Sequence, residues 1–575
     1  MKCAHLLLAA ALLPAVTLGG CARMRAQSAL QIGYGPQGLE RLSFDGVSLE
    51  DLSRYPADGF HIWHMKATDL GGNPLSTGQY GWGENNQGRS WNAATHTWTY
   101  AFSWGSIRLQ FEQRGNTLDM HVLETNRADS GIVFDGAAIY PLVLHLPHPP
   151  IGSGSQGAPH VSFNTAAPGV AVADYQQGEV VAVYTDARRP LCTGLVSAAP
   201  GSSVYTPLIS STTPDGLAAF EPHIDRPVRP GESDSFTVSL RFAASGTPVA
   251  EIASDAFEQW ARAWPEQVHW PDRRIIGTVY LATSPQATLS LLSGISGNPR
   301  NYVAATRAQL DLRTPEGLAS FQRLLLQQAR EVVHNLQRLH AQGAITWDIE
   351  GQQYAQPTSY VGSPDQLAQV APEMESVIHD AASAYDGMKL VDAYFKVLRD
   401  AGFRIGLCIR PQHFHRTADG AATQLAVPGT QVAAELYGKM KYAHDRWGAT
   451  LFYVDSNVEP DGATLDANVF AQFPASLSDS LILPEHSTPK YYAYTAPFES
   501  FLFHGDLGTD PLTYRYYPAA FSVNLINDVD AAKLAQAAPQ LIEAVRHGDI
   551  LMVHADYWQA NNTAVMQIYR SAASK

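Results

Sequence analysis

The carboxyl-terminal half of the chain, residues 271–575, contains eight short apolar runs, several of them separated by stretches with helical spacing. Apolar runs that alternate with helices are typical of βα units around a parallel sheet, and eight such units favour a (β/α)8 TIM-like barrel. The connection between the fifth and sixth runs is short, so an open doubly wound sheet remains the alternative. The predicted strands are 275–282, 344–350, 404–410, 450–455, 481–485, 498–504, 521–526 and 550–554.

Residues 30–250 follow another pattern, in which short runs of alternating apolar and polar residues are separated by Gly, Pro, Asn and Asp. A period of two with frequent turn residues indicates antiparallel strands, and a segment of this length favours one large β-sandwich domain. We expect its clustered tryptophans to fill the core, and an exposed platform for stacking sugars is the alternative. These tryptophans are Trp82, Trp91, Trp98 and Trp104.

A short helical segment separates the two halves. It contains Trp260 and Trp264 and ends at Pro265, a residue that cannot continue a helix. The sequence therefore predicts a β-sandwich domain over 30–250, a linker helix over 251–270 and a catalytic barrel over 271–575.

The first twenty residues have the composition of an export signal. An apolar run over 6–18 follows Lys2, and it is too short to span a bilayer but long enough for a signal-peptide core. It ends in Leu-Gly-Gly before Cys21, which resembles the bacterial lipobox, whose cysteine is lipidated. We expect a signal peptide over 1–20, a tether over 21–29 and a lipid anchor at Cys21 as the membrane attachment, with ordinary cleavage after small residues as the alternative. Such a protein would be in the bacterial cell envelope, or periplasmic or extracellular.

Charge and cysteine content exclude several classes of protein. The chain has 39 Lys and Arg against 54 Asp and Glu, a net charge of −15, so we expect no nucleic-acid partner, because phosphate backbones require concentrated basic residues. Four cysteines in 575 residues are too few for a disulfide scaffold. The chain has neither a glycine-rich phosphate loop that opens a helix nor a strand–helix Gly-x-Ser-x-Gly elbow. The sequence therefore indicates no organic cofactor.

Two carboxylates end neighbouring strands of the predicted barrel. Asp455 follows the fourth apolar run, and Glu485 closes the fifth. Side chains at the carboxyl ends of barrel strands form the active site in TIM barrels, and carboxylates on adjacent strands can lie close together. A retaining glycosidase uses one such carboxylate as nucleophile and the other as acid and then base. We therefore predict Asp455 as the nucleophile and Glu485 as the acid/base.

Further polar and aromatic side chains are predicted at the same rim, where they would bind a sugar. Arg410 can bind a hydroxyl or stabilise the charge of the nucleophile, and a structural salt bridge is its alternative role. Trp558 can stack on a pyranose face. The predicted substrate-binding residues are Asp348, Glu350, Arg410, Asn457, His486, Asp528, His554, Asp556 and Trp558.

The segment Tyr453-Val454-Asp455, with Glu485 one strand later, resembles the retaining α-glycoside hydrolases that place an Asp nucleophile on the fourth strand and a Glu acid/base on the fifth. Glycoside hydrolase family 101 has this pattern, and Asp455-Ser456-Asn457 is similar to the Asp-x-Asn segment of the α-galactosidase clan. That clan takes its acid from the sixth strand, where this chain offers only Glu499 and Asp506. The resemblance implies retaining hydrolysis of an α-linked oligosaccharide, polysaccharide or glycoconjugate.

Two other functions fit parts of the pattern. The pair His413 and His415, with His486, His504 and Asp556, is the type of donor set found in metal-dependent hydrolase barrels, although those barrels carry His-x-His on the first strand and here it follows the third. A surface lipoprotein that binds glycans without cleaving them would need no acid/base pair.

Overall fold

A computed structural model describes most of the chain. The described residues are 29–36, 38–49, 61–71, 73, 86–102, 104–127, 133–140, 143–144, 162–163, 169–175, 178–189, 192–193, 196–199, 203–205, 208–209, 227–281, 310–347, 349–350, 361–416, 422–459, 464–473, 477–501 and 507–574. The predicted signal peptide, Cys21 and Trp82 lie outside them.

The amino-terminal region consists of antiparallel strands, as the alternating pattern predicted. They form sheets in the orders β1-β2-β3, β10-β16-β15, β11-β14-β17-β9-β4 and β12-β13-β18-β8-β7-β6-β5. The strands are β1 (Leu30–Gly35), β2 (Gly38–Phe44), β3 (Val47–Ser48), β4 (His61–Thr68), β5 (Asn86–Asn92), β6 (Thr97–Phe102), β7 (Gly105–Arg114), β8 (Thr117–Asn126), β9 (Val133–Tyr140), β10 (Val143–Leu144), β11 (Ser162–Phe163), β12 (Gly169–Tyr175), β13 (Gly178–Tyr184), β14 (Cys192–Thr193), β15 (Val196–Ala199), β16 (Ser203–Tyr205), β17 (Leu208–Ile209) and β18 (Ser233–Ala244).

Strand β7 shows why these residues form a sheet with one buried face. Ile107, Leu109 and Phe111 are buried, whereas Arg108 and Gln110 between them are exposed, because successive side chains on a strand point to opposite faces. The buried set joins one core that includes residues of both the three-stranded β1–β3 sheet and the seven-stranded sheet. That a single two-layered sandwich extends over all of 30–250 stays a prediction.

Trp98 and Trp104 are buried in this core, which confirms the core role predicted for them. Trp91 is partly buried and packs against the same cluster. These three rings therefore support the fold of the amino-terminal sheets.

Two short helices, α1 (Val249–Ile252) and α2 (Ser254–Ala263), lie where the linker was predicted. The buried face of α2 packs in a cluster that also contains residues of β13 and the tyrosines near residue 517. Trp260 donates from Nε1 to the hydroxyl of Tyr517 across 3.0 Å. The helix is therefore in contact with both the amino-terminal sheets and the carboxyl-terminal half.

All eight predicted barrel strands are present in one parallel sheet. The strands are β19 (Ile276–Tyr280), β20 (Gly343–Trp347), β21 (Arg404–Ile409), β24 (Ala449–Val454), β25 (Leu481–Pro484), β26 (Phe498–Ser500), β27 (Val523–Leu525) and β28 (Ile550–His554), and β22 (His413–Arg416) pairs with β23 (Ala422–Leu425) in a separate hairpin.

The order of the sheet, β25-β24-β21-β20-β19-β28-β27-β26, distinguishes the two predicted architectures. The first strand lies between the second and the eighth, so the order follows the chain around a ring. A doubly wound sheet would instead reverse its strand order at a switch point. The ladder is interrupted between the fifth and sixth strands, where the N–H of Ala496 donates to the carbonyl of Ile482 across 3.0 Å. The fold is therefore a near-closed barrel. Its irregular junction lies between the fifth and sixth strands, which the short connection noted in the sequence joins.

Helices cover the outside of this barrel. They are α3 (Pro315–Leu339), α4 (Leu367–Val370), α5 (Leu390–Asp400), α6 (Gly429–Trp447), α7 (Asn468–Ala471), α8 (Ala531–His547) and α9 (Ala560–Ala573), with 3₁₀ turns at Pro364–Gln366, Pro372–Glu375, Pro489–Ala493 and Thr513–Arg515. Helix α3 begins where the Thr314 hydroxyl accepts the N–H of Gly317, with proline at the first helical position. Among the described residues, no helix combines the length and the apolar character that crossing a bilayer requires.

An aromatic layer fills the barrel interior. The ring centroids of Tyr280 and Trp347 are 5.2 Å apart, those of Trp347 and Tyr453 are 5.0 Å apart, and those of Tyr453 and Phe498 are 4.8 Å apart. Each of these residues lies at or near the carboxyl end of its strand, apart from Phe498, which begins β26. The layer therefore forms an apolar floor beneath the residues that follow the strands.

Candidate active site

Main-chain pairing places the two predicted catalytic carboxylates side by side. The N–H of Asp455 donates to the carbonyl of Ile409 across 2.9 Å, and the N–H of Glu485 donates to the carbonyl of Val454 across 3.0 Å. These bonds continue the β21–β24–β25 ladder by one step beyond the strands. Asp455 and Glu485 are therefore held at neighbouring positions on the rim of the sheet.

The residue after Asp455 connects the two side chains. The N–H of Ser456 donates to Oε2 of Glu485 across 2.7 Å, and its hydroxyl donates to Oδ1 of Asp455 across 3.2 Å. Ser456 has a φ of 51°, in the left-handed region that serine seldom adopts. This conformation lets one residue contact both carboxylates.

The two carboxylates differ in solvent access. The side chain of Asp455 is 6% exposed and that of Glu485 is 28% exposed. The pKa of Asp455 is raised to about 7, chiefly by burial. The guanidinium of Arg410 opposes this rise, and the nearby charge of Glu485 adds to it. Asp455 therefore loses its proton near neutral pH rather than in acid.

Arg410, which follows β21, is held on Asp455 from several directions. Its Nε donates to Oδ2 of Asp455 across 2.8 Å, and its Nη2 donates to the hydroxyl of Ser456. Its Nη1 donates to Oε1 of Gln424, and its main-chain N–H donates to the carbonyl of Gly362. Arg410 therefore forms an ion pair with Asp455, the predicted nucleophile.

Gly362 allows this close packing. It has a φ of 59°, and a Cβ there would lie 2.6 Å from the backbone nitrogen of Arg410 and 2.7 Å from its Cγ. Both the conformation and the space therefore require glycine.

Asn457 joins the two strand ends rather than facing open space. It is fully buried, its Nδ2 donates to the carbonyl of His486 across 2.8 Å and to the hydroxyl of Tyr491 across 3.1 Å, and its Oδ1 accepts the N–H of His486. These contacts give Asn457 a structural role in place of the predicted contact with sugar. His486 itself is partly exposed at the rim, with Nε2 3.6 Å from Oε2 of Glu485.

Three predicted rim residues form a single cluster at the ends of β27 and β28. The Nδ1 of His554 lies 2.9 Å from Oδ1 of Asp556, and its Nε2 lies 3.3 Å from Oδ2 of Asp528. The hydroxyl of Tyr557 donates to Oδ1 of Asp528 across 3.1 Å. Burial alone would lower the pKa of His554, but the two carboxylates raise it above its usual value. The cluster therefore places the imidazole of His554 between two aspartates that favour its protonated form.

Two other predicted residues lie away from an open rim. Glu350 is 1% exposed, and burial raises its pKa to about 8. Trp558 packs against the core between sheet and helices, with the guanidinium of Arg338 3.4 Å from its ring centroid. These placements give Glu350 a buried position and Trp558 a packing role in place of the predicted sugar contacts. Asp348 lies outside the described residues, as do His504 and Asp506.

Two histidines of the metal-site alternative, His413 and His415, lie on the β22–β23 hairpin. His413 is exposed, and its Nδ1 lies 3.2 Å from Oε1 of Glu435. Within the described part of the chain, no group of three or more His, Cys, Asp or Glu side chains is arranged so that it could hold a metal ion.

Two functional neighbours were missed from the sequence. Ser456 lies between the two residues that matched a motif, and only its backbone conformation reveals its contacts with both carboxylates. Lys439 lies on the buried face of α6 among Leu436, Met440 and Ala443. A lysine in an apolar helical stripe was a visible signal of a buried charge.

No family model matches this chain, and no curated protein matches it in sequence. Among solved structures, an α-N-acetylgalactosaminidase of Bifidobacterium bifidum in complex with GalNAc is 9% identical, with 95% of this chain and 92% of that chain covered and a TM-score of 0.50. A GH31 family sulfoquinovosidase from E. rectale is 9% identical, covering 94% and 82%, with a TM-score of 0.44. A GH36 α-galactosidase from Geobacillus stearothermophilus is 11% identical, covering 88% and 74%, with a TM-score of 0.39. The likeness to the α-N-acetylgalactosaminidase shows a shared fold over nearly the whole of both chains.

Proposed function

We propose that this protein is a glycoside hydrolase that cleaves α-linked glycans with retention of configuration. The observation that carries the proposal is the Asp455–Ser456–Glu485 arrangement, in which two carboxylates on adjacent strands share one connecting residue while Arg410 contacts one of them. A retaining mechanism requires one ionised and one protonated carboxyl at the same bond.

The charges around the pair favour a division of roles. The positive guanidinium of Arg410 stabilises an anion on Asp455. Glu485 has the more exposed side chain, where it can reach a leaving group from the solvent side. Asp455 is therefore the proposed nucleophile, and Glu485 is the proposed acid and base.

The reaction then proceeds in two displacements. An oxygen of Asp455 forms a bond to the anomeric carbon while the glycosidic C–O bond breaks, and Glu485 gives its proton to the departing oxygen. Glu485, now ionised, takes a proton from water as that water attacks the anomeric carbon and releases Asp455. Both carboxyls return to their initial protonation states.

Aryl glycosides provide the test. An aryl α-N-acetylgalactosaminide is the first substrate to assay, because the Bifidobacterium protein that shares this fold is named an α-N-acetylgalactosaminidase. Asp455→Asn and Glu485→Gln should each abolish most turnover, and NMR should show the first-formed product with the anomeric configuration of the substrate. Asp400→Asn, on the exposed end of α5, is the matched control. Full activity in both active-site variants would overturn the assignment, and an inverted product would overturn the retaining mechanism alone.

We further propose that the protein is exported and anchored through Cys21. The support is the apolar run that ends in Leu-Gly-Gly-Cys. Cys21→Ser should move the protein from the membrane pellet to the soluble fraction of lysed cells. An unchanged distribution would contradict the anchor.

A further inference from the structure

A buried lysine lies directly behind the proposed catalytic arginine. Lys439 is on helix α6 and is only 3% exposed, so its ammonium has been removed from water. Burial of this kind is costly unless the group is fully hydrogen-bonded. The hydrogen-bond partners of Lys439 therefore indicate its role in the fold.

The ammonium binds the main chain of the segment that follows β21. Nζ donates to the carbonyl of Arg410 across 2.9 Å and to the carbonyl of Gln412 across 2.7 Å. Its third contact is Oε1 of Glu435, one turn earlier on the same helix, at 3.0 Å. Pro411 lies between the two residues whose carbonyls accept these bonds, and its ring fixes its φ. One charged group thus fixes a stiff three-residue segment.

The side chains of Arg410 and Gln412 also contact the turn formed by residues 455–456. Nε of Arg410 donates to Asp455, and Nε2 of Gln412 donates to the carbonyl of Ser456 across 2.9 Å. The ammonium therefore fixes the backbone of both residues whose side chains contact residues 455–456. A shift of this segment would move Arg410 and Gln412 together.

We propose that Lys439 is a positioning residue that holds Arg410 on Asp455 through the main chain of residues 410–412. The inference rests on the proposed function only in taking Asp455 as the nucleophile. Lys439 does not touch the substrate in this proposal. It sets the distance between the guanidinium and the carboxylate, and through that distance the ionisation of Asp455.

The hydrogen bonds from Lys439 to residues 410–412 are called the clamp. Lys439→Met tests the clamp, because methionine keeps an unbranched side chain without the ammonium. We expect kcat to fall roughly 10- to 100-fold with KM within about twofold of wild type, since small misplacements of catalytic groups have effects of this size. We also expect the pKa of Asp455 to rise, because a loosened guanidinium stabilises its anion less. Carbon-13 NMR of protein labelled at aspartate carboxyls measures that pKa, with Asp455→Asn identifying the signal.

Lys441→Met is the matched control. Lys441 lies two residues away on the same helix, is 45% exposed and pairs with Asp445 on the surface. This variant should keep the wild-type kcat and the wild-type pKa of Asp455. An equal loss in both variants would overturn the clamp.

Several outcomes decide the proposal. If Lys439→Met lowers the thermal midpoint but leaves kcat and the pKa of Asp455 unchanged, the lysine is a stabilising residue and the proposal is wrong. If Lys439→Met does not fold, Gln412→Ala provides a second test, because it removes the hydrogen bond from the 410–412 segment to Ser456. A wild-type kcat in Gln412→Ala would equally overturn the proposal. Undiminished hydrolysis in Asp455→Asn would instead contradict the proposed function, while the NMR titration would still report on the clamp.

Discussion

Arg410 and Asp455 form a buried ion pair at the rim of the barrel, with Nε of the arginine 2.8 Å from Oδ2 of the aspartate and both side chains less than one-tenth exposed. The pair joins the ends of β21 and β24. A second carboxylate, Glu485, interacts with the same aspartate from β25. Asp455 thus lies between one group that favours its charge and one that opposes it.

Replacing Arg410 tests whether the planar guanidinium, and not only its positive charge, is needed to stabilise the anion on Asp455. Arg410→Lys keeps the charge but cannot reproduce the simultaneous bonds to Asp455, Ser456 and Gln424. We expect kcat/KM to fall about 100-fold, corresponding to roughly 2.7 kcal/mol of lost transition-state stabilisation. Steady-state kinetics on an aryl glycoside measures this, with Arg399→Lys on the neighbouring helix α5 as control. A fall of less than threefold would contradict a specific role for the guanidinium.

The pH dependence of hydrolysis should show the coupled carboxyls. The raised pKa of Asp455, about 7, means that this carboxyl keeps its proton up to neutral pH and is ionised above it. We expect kcat/KM to increase as pH rises through that range, because Asp455 must be ionised to attack the anomeric carbon. Initial rates on protein shown to remain folded from pH 4 to 9 provide the measurement. A profile that stays level up to pH 9 would be inconsistent with this pair.

Glu350 should make the protein less stable in alkaline solution. Its folded pKa of about 8 exceeds the ordinary value of 4.5, so the folded state binds the proton more tightly and its stability falls as pH rises between these values. Oε1 of Glu350 accepts no hydrogen bond from the described residues. Glu350→Gln should therefore raise the free energy of unfolding at pH 9 by about 3–5 kcal/mol and change it little at pH 5, at roughly 1.4 kcal/mol per pKa unit.

Urea unfolding at the two pH values tests this change, with Glu375→Gln as a control of opposite sign. Burial alone would raise the pKa of Glu375, but Arg446 and Lys389 lower it below its usual value. Its ionised form is therefore favoured in the folded state, and the variant should lose stability at neutral pH. Stabilisation of both variants at pH 9 would contradict the account of Glu350.

His554 should contribute stability in acidic and neutral solution. Its folded pKa is raised by Asp556 and Asp528, so its contribution is complete below the unfolded pKa and is lost as pH rises through the folded one. His554→Gln should destabilise the protein by roughly 3–5 kcal/mol at pH 6, because two buried or half-buried aspartates lose their shared cation. The loss should shrink at pH 9. Equal losses at both pH values would assign the effect to packing.

The position of the candidate site was predictable because period and strand order are local properties of a sequence. Apolar runs alternating with helices led to eight strands, and the carboxyl ends of parallel strands meet at one rim. That reasoning placed Asp455 and Glu485 next to each other without any knowledge of side-chain geometry. It also identified Arg410 as a possible partner of the nucleophile.

Contacts between distant segments were not predictable in the same way. Asn457 has the same spacing from Asp455 on the strand end as a pocket residue would have, yet its amide binds the main chain of His486. Trp558 follows a strand end but turns into the helix layer, where Arg338 covers one face. Spacing along a strand predicts the face on which a side chain lies. The contacts of that side chain depend on which distant segment of the chain packs against that face.

The sequence by itself determined the barrel, the antiparallel region before it and the adjacency of the two carboxylates, since each follows from hydrophobic periodicity. Only the tertiary structure decided how Arg410 is held on Asp455 and which further groups surround that pair. Arg410, Ser456 and Lys439 come from a strand end, a left-handed turn and a helix interior, and hydrogen bonds of 2.7–3.2 Å unite them. Electrostatic interaction in a buried site depends on distances of this order, and no pattern along the chain encodes them.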